Sequence, residues 1–259
     1  LLNGEAMTCT GETLTEQIVR LDPPVPDGEV IYSVEKPFKP TGGLRVLGGN
    51  LSPEFSAVLK LAGLEGGLEN NIFTGKARVF NSEAELLNAL ENQSEVFENN
   101  DMIIVRYEGP SGAPGMPEML DSTSRITTLC RQKEIVVGLM TDARFSGGSV
   151  GLVIGHVGPE AALGGPIAYI EDGDDIVVDL NSNEINCLQL DNNSTLSSRK
   201  ASWDKAVADN GGAHPAIGGA DTRLLNRMRR SAVSAVFGAG MHPDRELWVP
   251  DARAPEMTG

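Results

Sequence analysis

"DMIIVRYEGPSGAPGMPEMLDSTSRITTLCRQKEIVVGLMTDARFSGG" runs from Asp101 to Gly148, and its reading decides the fold class. Two apolar runs, Asp101 to Tyr107 and Glu134 to Asp142, read as buried strands. Each opens into a glycine-rich loop, and "SRITTLCRQK" between them reads as a helix. Strand, loop, helix, strand, loop in this order predicts an α/β arrangement. Such arrangements carry their sites on loops at the C-terminal ends of strands.

The flanking sequence extends the pattern. "ETLTEQIVRL" has Leu14, Ile18 and Leu21 at helical spacing, and Pro23, Pro24 and Pro26 end the helix. "EVIYSV", Glu29 to Val34, predicts a short strand; "LRVLGGNL" predicts a strand closing in a turn, and "ARVF" another strand. Ser82 caps the helix "EAELLNALENQ", with Glu85 completing a capping box. Beyond Gly165, "PIAYIEDGDDIVVDL" and "EINCLQL" read as short strands of a β-meander or barrel, with Asp172-Gly173 as a hairpin turn. "STLSSRKASWDKAVADNG" is helical, "GGAHPAIGG" is a loop, and "TRLLNRMRRSAVSAVFGAG" is a last helix stopping at Gly238. Residues 241–259 read as an irregular tail. The expected architecture is a mixed α and β fold, a sheet or barrel with outer helices.

Composition excludes several classes. The 259 residues carry a net charge of −15, which argues against a nucleic-acid surface, since phosphate contacts need clustered Lys and Arg. No apolar run approaches the roughly 20 residues of a membrane span. Cys9, Cys130 and Cys187 are far apart and form no CxxC, so neither a disulfide framework nor a zinc site is expected, and a cytoplasmic location fits. The chain opens on Leu1 inside what reads as a loop entering a helix, which points to a piece of a longer polypeptide.

Two loops hold the candidate chemistry. In the first, Gly109, Gly112 and Gly115 alternate with Pro110, Pro114 and Pro117, and Glu108 and Glu118 flank it. Magnesium favours one or two carboxylates with waters, so both acids are candidates pointing into the loop; a stiff connection with solvated acids is the alternative. In the second, Ser146 precedes Gly147 and Gly148, whose amides are placed to form an anion nest. Arg144 stands two residues before Ser146, so the motif is not the G-x-S-x-G elbow, and no G-K-[ST] follows. The plain alternative makes Ser146 a turn residue, with Asp142 and Arg144 paired to hold the turn. His156 reads as a core or loop histidine, Glu160 as an early helical residue near a helix dipole, and His214 and His242 as loop residues without metal-ligand spacing.

Together, "GPSGAPGMPEM", "TDARFSGG" and "GHVGPEAALGGPIA…DGD" resemble the dihydroxy-acid and sugar-acid dehydratase family in letters, order and spacing. "MTCTGETLTEQI" and "KPFKPTGGLRVLGGNL" extend the resemblance over roughly residues 1 to 240. It implies a swivelling β/β/α domain, a β-barrel flanked by helices and similar to the mobile domain of aconitase. Residues 1–259 would be the C-terminal half of a chain about twice as long, the N-terminal half holding an iron–sulfur cluster and most magnesium ligands. The implied reaction dehydrates a 2,3-dihydroxy acid to a 2-keto-3-deoxy acid. Ser146 matches the base that removes the C2 proton, and Glu118 matches a Mg²⁺ ligand; Arg144 and the Gly147 and Gly148 amides are assigned to the substrate carboxylate. The implied partners are a small-molecule sugar acid, the N-terminal cluster domain of the same chain and a further copy of the protein, with neither nucleic acid nor membrane. The alternatives are the dihydroxy-acid dehydratase of branched-chain amino-acid synthesis and a non-catalytic binding module. Ala143, Ala113, Cys9 and Gly158 depart from the family's usual residues by small-for-small changes. The tail from Phe237 onward tilts the substrate toward a sugar acid.

Overall fold

The computed structural model describes residues 2–61, 67–92, 96–145, 151–217 and 222–242. It divides into two units, Leu1–Gly42 and Gly43–Gly259. In the first, α1 (Leu14–Leu21) lies within the expected helix, and a capping box that the apolar spacing did not show opens it: the Thr13 hydroxyl accepts from the Glu16 amide, and the Glu16 carboxylate accepts from the Thr13 amide. Asp22 ends the helix in the left-handed conformation, ahead of the prolines. The strand expected at Glu29 to Val34 does not form. Asp27 Oδ1 accepts from the amides of Glu29, Val30 and Ile31, folding that stretch into a tight turn.

The second unit is built on β1 (Leu44–Leu47), β2 (Ala57–Lys60), β3 (Ile72–Phe80), β4 (Asp101–Val105), β5 (Glu118–Met119), β6 (Gly138–Thr141), β7 (Arg144–Phe145), β8 (Leu152–Gly155), β9 (Asp175–Asp179) and β10 (Glu184–Cys187). Its helices are α2 (Glu83–Asn92), α3 (Leu120–Lys133), α4 (Asn193–Asp209) and α5 (Arg223–Ser231). Eight strands form one sheet in the order β1-β2-β8-β6-β4-β3-β9-β10, parallel from β8 to β3 and antiparallel at both ends. The two ends meet. Gly48, just past β1, donates to Asn183 O at 2.8 Å and accepts from Ile185 N at 2.9 Å. The sheet is therefore a nearly closed barrel flanked by helices, as the sequence led us to expect. Gly49 sits at φ 97°, and a Cβ there would lie 2.4 Å from Ile185 O. Only glycine lets the seam close.

The central strands explain their apolar runs. All of β4 is buried, Met102 and Ile104 on the barrel interior with Leu59, Phe73, Met140 and Ile154, and Ile103 and Val105 outside against Leu86, Ile126 and Leu139. A strand covered on both faces has no polar alternation to show. α2 and α3 supply that outer cover, and α2 starts at Ser82, whose hydroxyl accepts from Glu85 N at 3.1 Å.

Three other expectations are corrected. Pro166–Tyr169 is a 3₁₀ turn rather than strand. Asp172-Gly173 leads into β9, with Gly173 N donating to Ala77 O, and the hairpin turn lies instead between β9 and β10. The last helix stops at Ser231, and Gly238 caps a separate 3₁₀ turn at Ala235–Phe237. Among the described residues, no helix is long and apolar enough to cross a membrane. Residues 243–259 lie outside the described residues.

Candidate active site

Neighbouring parallel strands β4 and β6 pair Val105 with Thr141, so the loops that follow them leave from the same end of the barrel. The loops then pair again. β5 and β7 form a short parallel bridge that sets Glu118 opposite Arg144 and Met119 opposite Phe145. Met119 is buried and Phe145 is half-buried, packing against Gly155, while Glu118 and Arg144 are exposed. Arg144 Nε donates to Met116 O at 2.8 Å, which fixes the guanidinium against the first loop. Two of the residues singled out in the sequence thus come together. Ser146, Gly147 and Gly148 lie outside the described residues, directly after Phe145 in the chain.

Asp142 does not pair with Arg144. It is fully buried and accepts four backbone amides: Tyr107 and Ala161 on Oδ2 at 3.0 Å each, Glu108 and Gly109 on Oδ1 at 3.1 Å each. Burial, with the nearby Glu160 charge, pushes its carboxyl up to about 7, and the amides of Ala161, Tyr107 and Glu108 pull the other way. Glu160, which the sequence read as an early helical residue near a helix dipole, is also fully buried, preceding a 3₁₀ turn at Ala161–Leu163. Its Oε2 accepts from Ser234 Oγ at 2.5 Å, and its Oε1 has no hydrogen-bond partner among the described residues.

Glu108 points away from the first loop. It is half-buried, its Oε1 accepts from Glu83 N at the start of α2, and burial raises its carboxyl. Gly112 answers to local geometry rather than to a ligand: a Cβ there would fall 2.0 Å from Tyr107 O. His156 comes closer to the site than the sequence indicated. Its amide donates to Ala143 O at 2.7 Å, and burial together with the Arg144 charge lowers its pKa, favouring the neutral imidazole. His214 stacks between Tyr107 and Trp203, at ring distances of 4.8 and 5.9 Å and nearly parallel. The buried roles of Asp142 and Glu160 had one sequence signal, an acid set within an otherwise apolar or glycine-rich run.

With this geometry in view, the comparisons become decisive. The family model described as "Dihydroxy-acid/6-phosphogluconate dehydratase C-terminal" matches residues 29–239. This chain belongs to that family. The curated dihydroxy-acid dehydratase of Mycobacterium sp. (strain JLS) is 43% identical over 204 residues, covering 79% of this chain and 33% of the relative. Dihydroxy-acid dehydratase 2 of Corynebacterium efficiens is 47% identical over 188 residues, 73% of this chain and 32% of the relative. The dihydroxy-acid dehydratase of Pyrobaculum aerophilum is 44% identical over 205 residues, 78% of this chain and 34% of the relative. The chain spans about a third of the length of the curated relatives it matches.

The family resemblance raises two cofactors, and the residues fit them unequally. Glu118 offers an exposed carboxylate, a hard oxygen donor suited to one position on Mg²⁺. A cluster needs several thiolates in one place. Here Cys9 is exposed, Cys130 is half-buried, and Cys187 is buried beside Asp174, which with desolvation pushes its thiol up to about 12. Among the described residues, no group of three or more His, Cys, Asp or Glu is arranged to hold a metal. The described residues of this chain do not fit an iron–sulfur cluster, and no step below runs through one.

Proposed function

We propose that this chain forms part of the active site of a hydro-lyase that dehydrates a 2,3-dihydroxy carboxylic acid to a 2-keto-3-deoxy acid. The observation that carries this reading is the parallel bridge of β5 and β7, which sets Glu118 opposite Arg144 at the mouth of both glycine-rich loops. The family match and the names of the relatives support the reaction class.

In this reading Glu118 holds a magnesium ion, which when bound supplies positive charge to the substrate oxygens. Arg144, with the Gly147 and Gly148 amides, takes the substrate carboxylate and orients the C2–H bond toward Ser146. Ser146 removes the C2 proton as its alkoxide. A serine hydroxyl alone is a very poor base, so the guanidinium and loop amides must stabilise that oxyanion. The C3–O bond then breaks, and the hydroxide leaves as water with the proton that Ser146 took from C2, which regenerates the alkoxide and leaves an enol that tautomerises to the ketone. This chain is assigned the C2 side of the reaction, and the rest of the site belongs to a longer protein. The relatives' names favour a dihydroxy acid. A sugar acid is the second substrate reading, favoured by the 6-phosphogluconate dehydratases within the family description.

The test assays the intact protein that carries this chain, with Mg²⁺, on a branched 2,3-dihydroxy acid and on pentonates and gluconates. Ser146→Ala is expected to abolish turnover of the preferred acid. Turnover near wild type would remove Ser146 as the base, and absence of any dehydration by the wild type would end the hydro-lyase reading.

A further inference from the structure

We infer that Asp142 is the positioning residue of this site, a clamp that holds three loops in the arrangement where Glu118 meets Arg144. The inference rests on the reading above but on separate contacts. β4, β6 and β8 are adjacent parallel strands, and the segments that follow them meet at a single carboxylate. Asp142 belongs to the loop after β6. It accepts from Tyr107, Glu108 and Gly109 of the loop after β4, and from Ala161 of the segment after β8. Each oxygen takes two amides, so the acceptor capacity of the group is filled.

The clamp is buttressed on every side. Ala143, the next residue, donates to Thr141 Oγ1 and accepts from His156 N, so the Arg144 segment leaves the clamp in a fixed direction. Gly112 N and Ala113 N both donate to Gly109 O, so a turn held at Gly109 carries the rest of the first loop with it. That loop is tied a second time by Arg144 Nε to Met116 O, and then runs into Glu118. Gly109 leaves no slack, since a Cβ there would lie 2.9 Å from Glu160 Cβ and 3.1 Å from Asp142 O. Tyr107 itself is held at φ 68°, a conformation that a tyrosine keeps only when its surroundings impose it. No solvent reaches the carboxylate, so water cannot replace a missing acceptor. Asp142 thus contacts neither Glu118 nor the substrate side of Arg144, yet fixes the separation of the loops that carry them.

Asp142→Asn tests this in the intact protein. Asparagine keeps one carbonyl oxygen and turns an NH₂ group toward two amide donors. The expected loss in kcat is about 100-fold, the scale of a misplacement near 1 Å. In an Arg144→Lys background, which keeps measurable turnover, the same change should cost under about threefold more, because the loops then no longer position the guanidinium. A substitution that merely weakened the scaffold would cost the same factor in both backgrounds, and that outcome would overturn the inference. Residue-resolved hydrogen exchange reads the clamp without turnover. Protection at Tyr107, Glu108, Gly109 and Ala161 should fall at least about tenfold in Asp142→Asn, with Met102 to Val105 unchanged. Unchanged protection at those four amides overturns the clamp. Should the variant not fold, the wild type decides: the four amides must exchange as slowly as β4, and exchange at the rate of an open loop overturns the inference. Wild-type turnover by Ser146→Ala alone sinks the functional reading while the exchange result on Asp142 still stands or falls by itself.

Discussion

Glu118 and Arg144 face each other across a parallel bridge although 26 residues separate them, and Arg144 Nε reaches back to Met116 O, two residues before Glu118. An acidic and a basic residue are therefore set opposite each other on two loops that leave the same end of the barrel. The pair is exposed, so its value lies in what it meets rather than in stability.

Arg144→Lys removes the Nε–H that fixes the loop and the planar fork suited to a carboxylate. A hydrogen bond to a charged group contributes about 1.5–3 kcal/mol, so KM for the dihydroxy acid should rise about tenfold or more. Steady-state kinetics on the intact protein checks this, and an unchanged KM would take Arg144 out of substrate binding.

Glu118→Gln keeps the shape of the side chain and removes its charge. Magnesium titration of the dehydration rate should show about a tenfold weaker half-saturation, equivalent to about 1.4 kcal/mol. Thermal stability should stay near wild type, because the side chain is exposed.

Ser234→Ala removes the one hydrogen-bond donor that the fully buried Glu160 carboxylate has among the described residues, where its other oxygen is already unpartnered. Leaving the group wholly unpaired costs about 1–3 kcal/mol or more, read as a lower urea midpoint at unchanged m-value. A midpoint equal to wild type would show that the contact contributes nothing.

His214 gives a pH dependence with a definite sign. Burial and the Arg106 charge lower its pKa from the ordinary 6.5, so the fold favours the neutral ring stacked between Tyr107 and Trp203. Its contribution is present above that ordinary value, where the unfolded chain is also neutral. It declines as the pH falls through 6.5 toward the depressed folded value, because the unfolded state then binds the proton first. Denaturation midpoints followed from pH 8 to pH 5 should fall less steeply in His214→Gln than in wild type.

Gly49→Ala tests the barrel seam. The residue sits at φ 97°, which costs a side chain about 1–3 kcal/mol from conformation alone, and the added Cβ would also meet Ile185 O at 2.4 Å. The loss in chemical-denaturation stability should exceed that of a control substitution at the open turn glycine Gly173.

What the sequence determined by itself is local. Hydrophobic runs with no alternation marked β4 and β6 as strands covered on both faces, because side-chain period and burial are written residue by residue. Ser82 and Glu85 marked the start of α2, because a cap spans only three residues, although the Glu85 carboxylate takes the Asn81 amide rather than that of Ser82. The two glycine-rich loops, and with them Glu118 and Arg144, were legible as motifs. Local chemistry also misled: Asp27 captures its own neighbours' amides where alternation read as a strand, and Asp172-Gly173 looks like a hairpin turn but precedes a strand that pairs elsewhere. Tertiary structure decided the rest. The amides of Asp142 lie 19 to 35 residues away, Ser234 reaches Glu160 across 74, and Gly48 closes the barrel on Ile185. A buried carboxylate looks the same in sequence whatever it binds. Only the folded barrel, by removing water, forces it to find its partners in the chain.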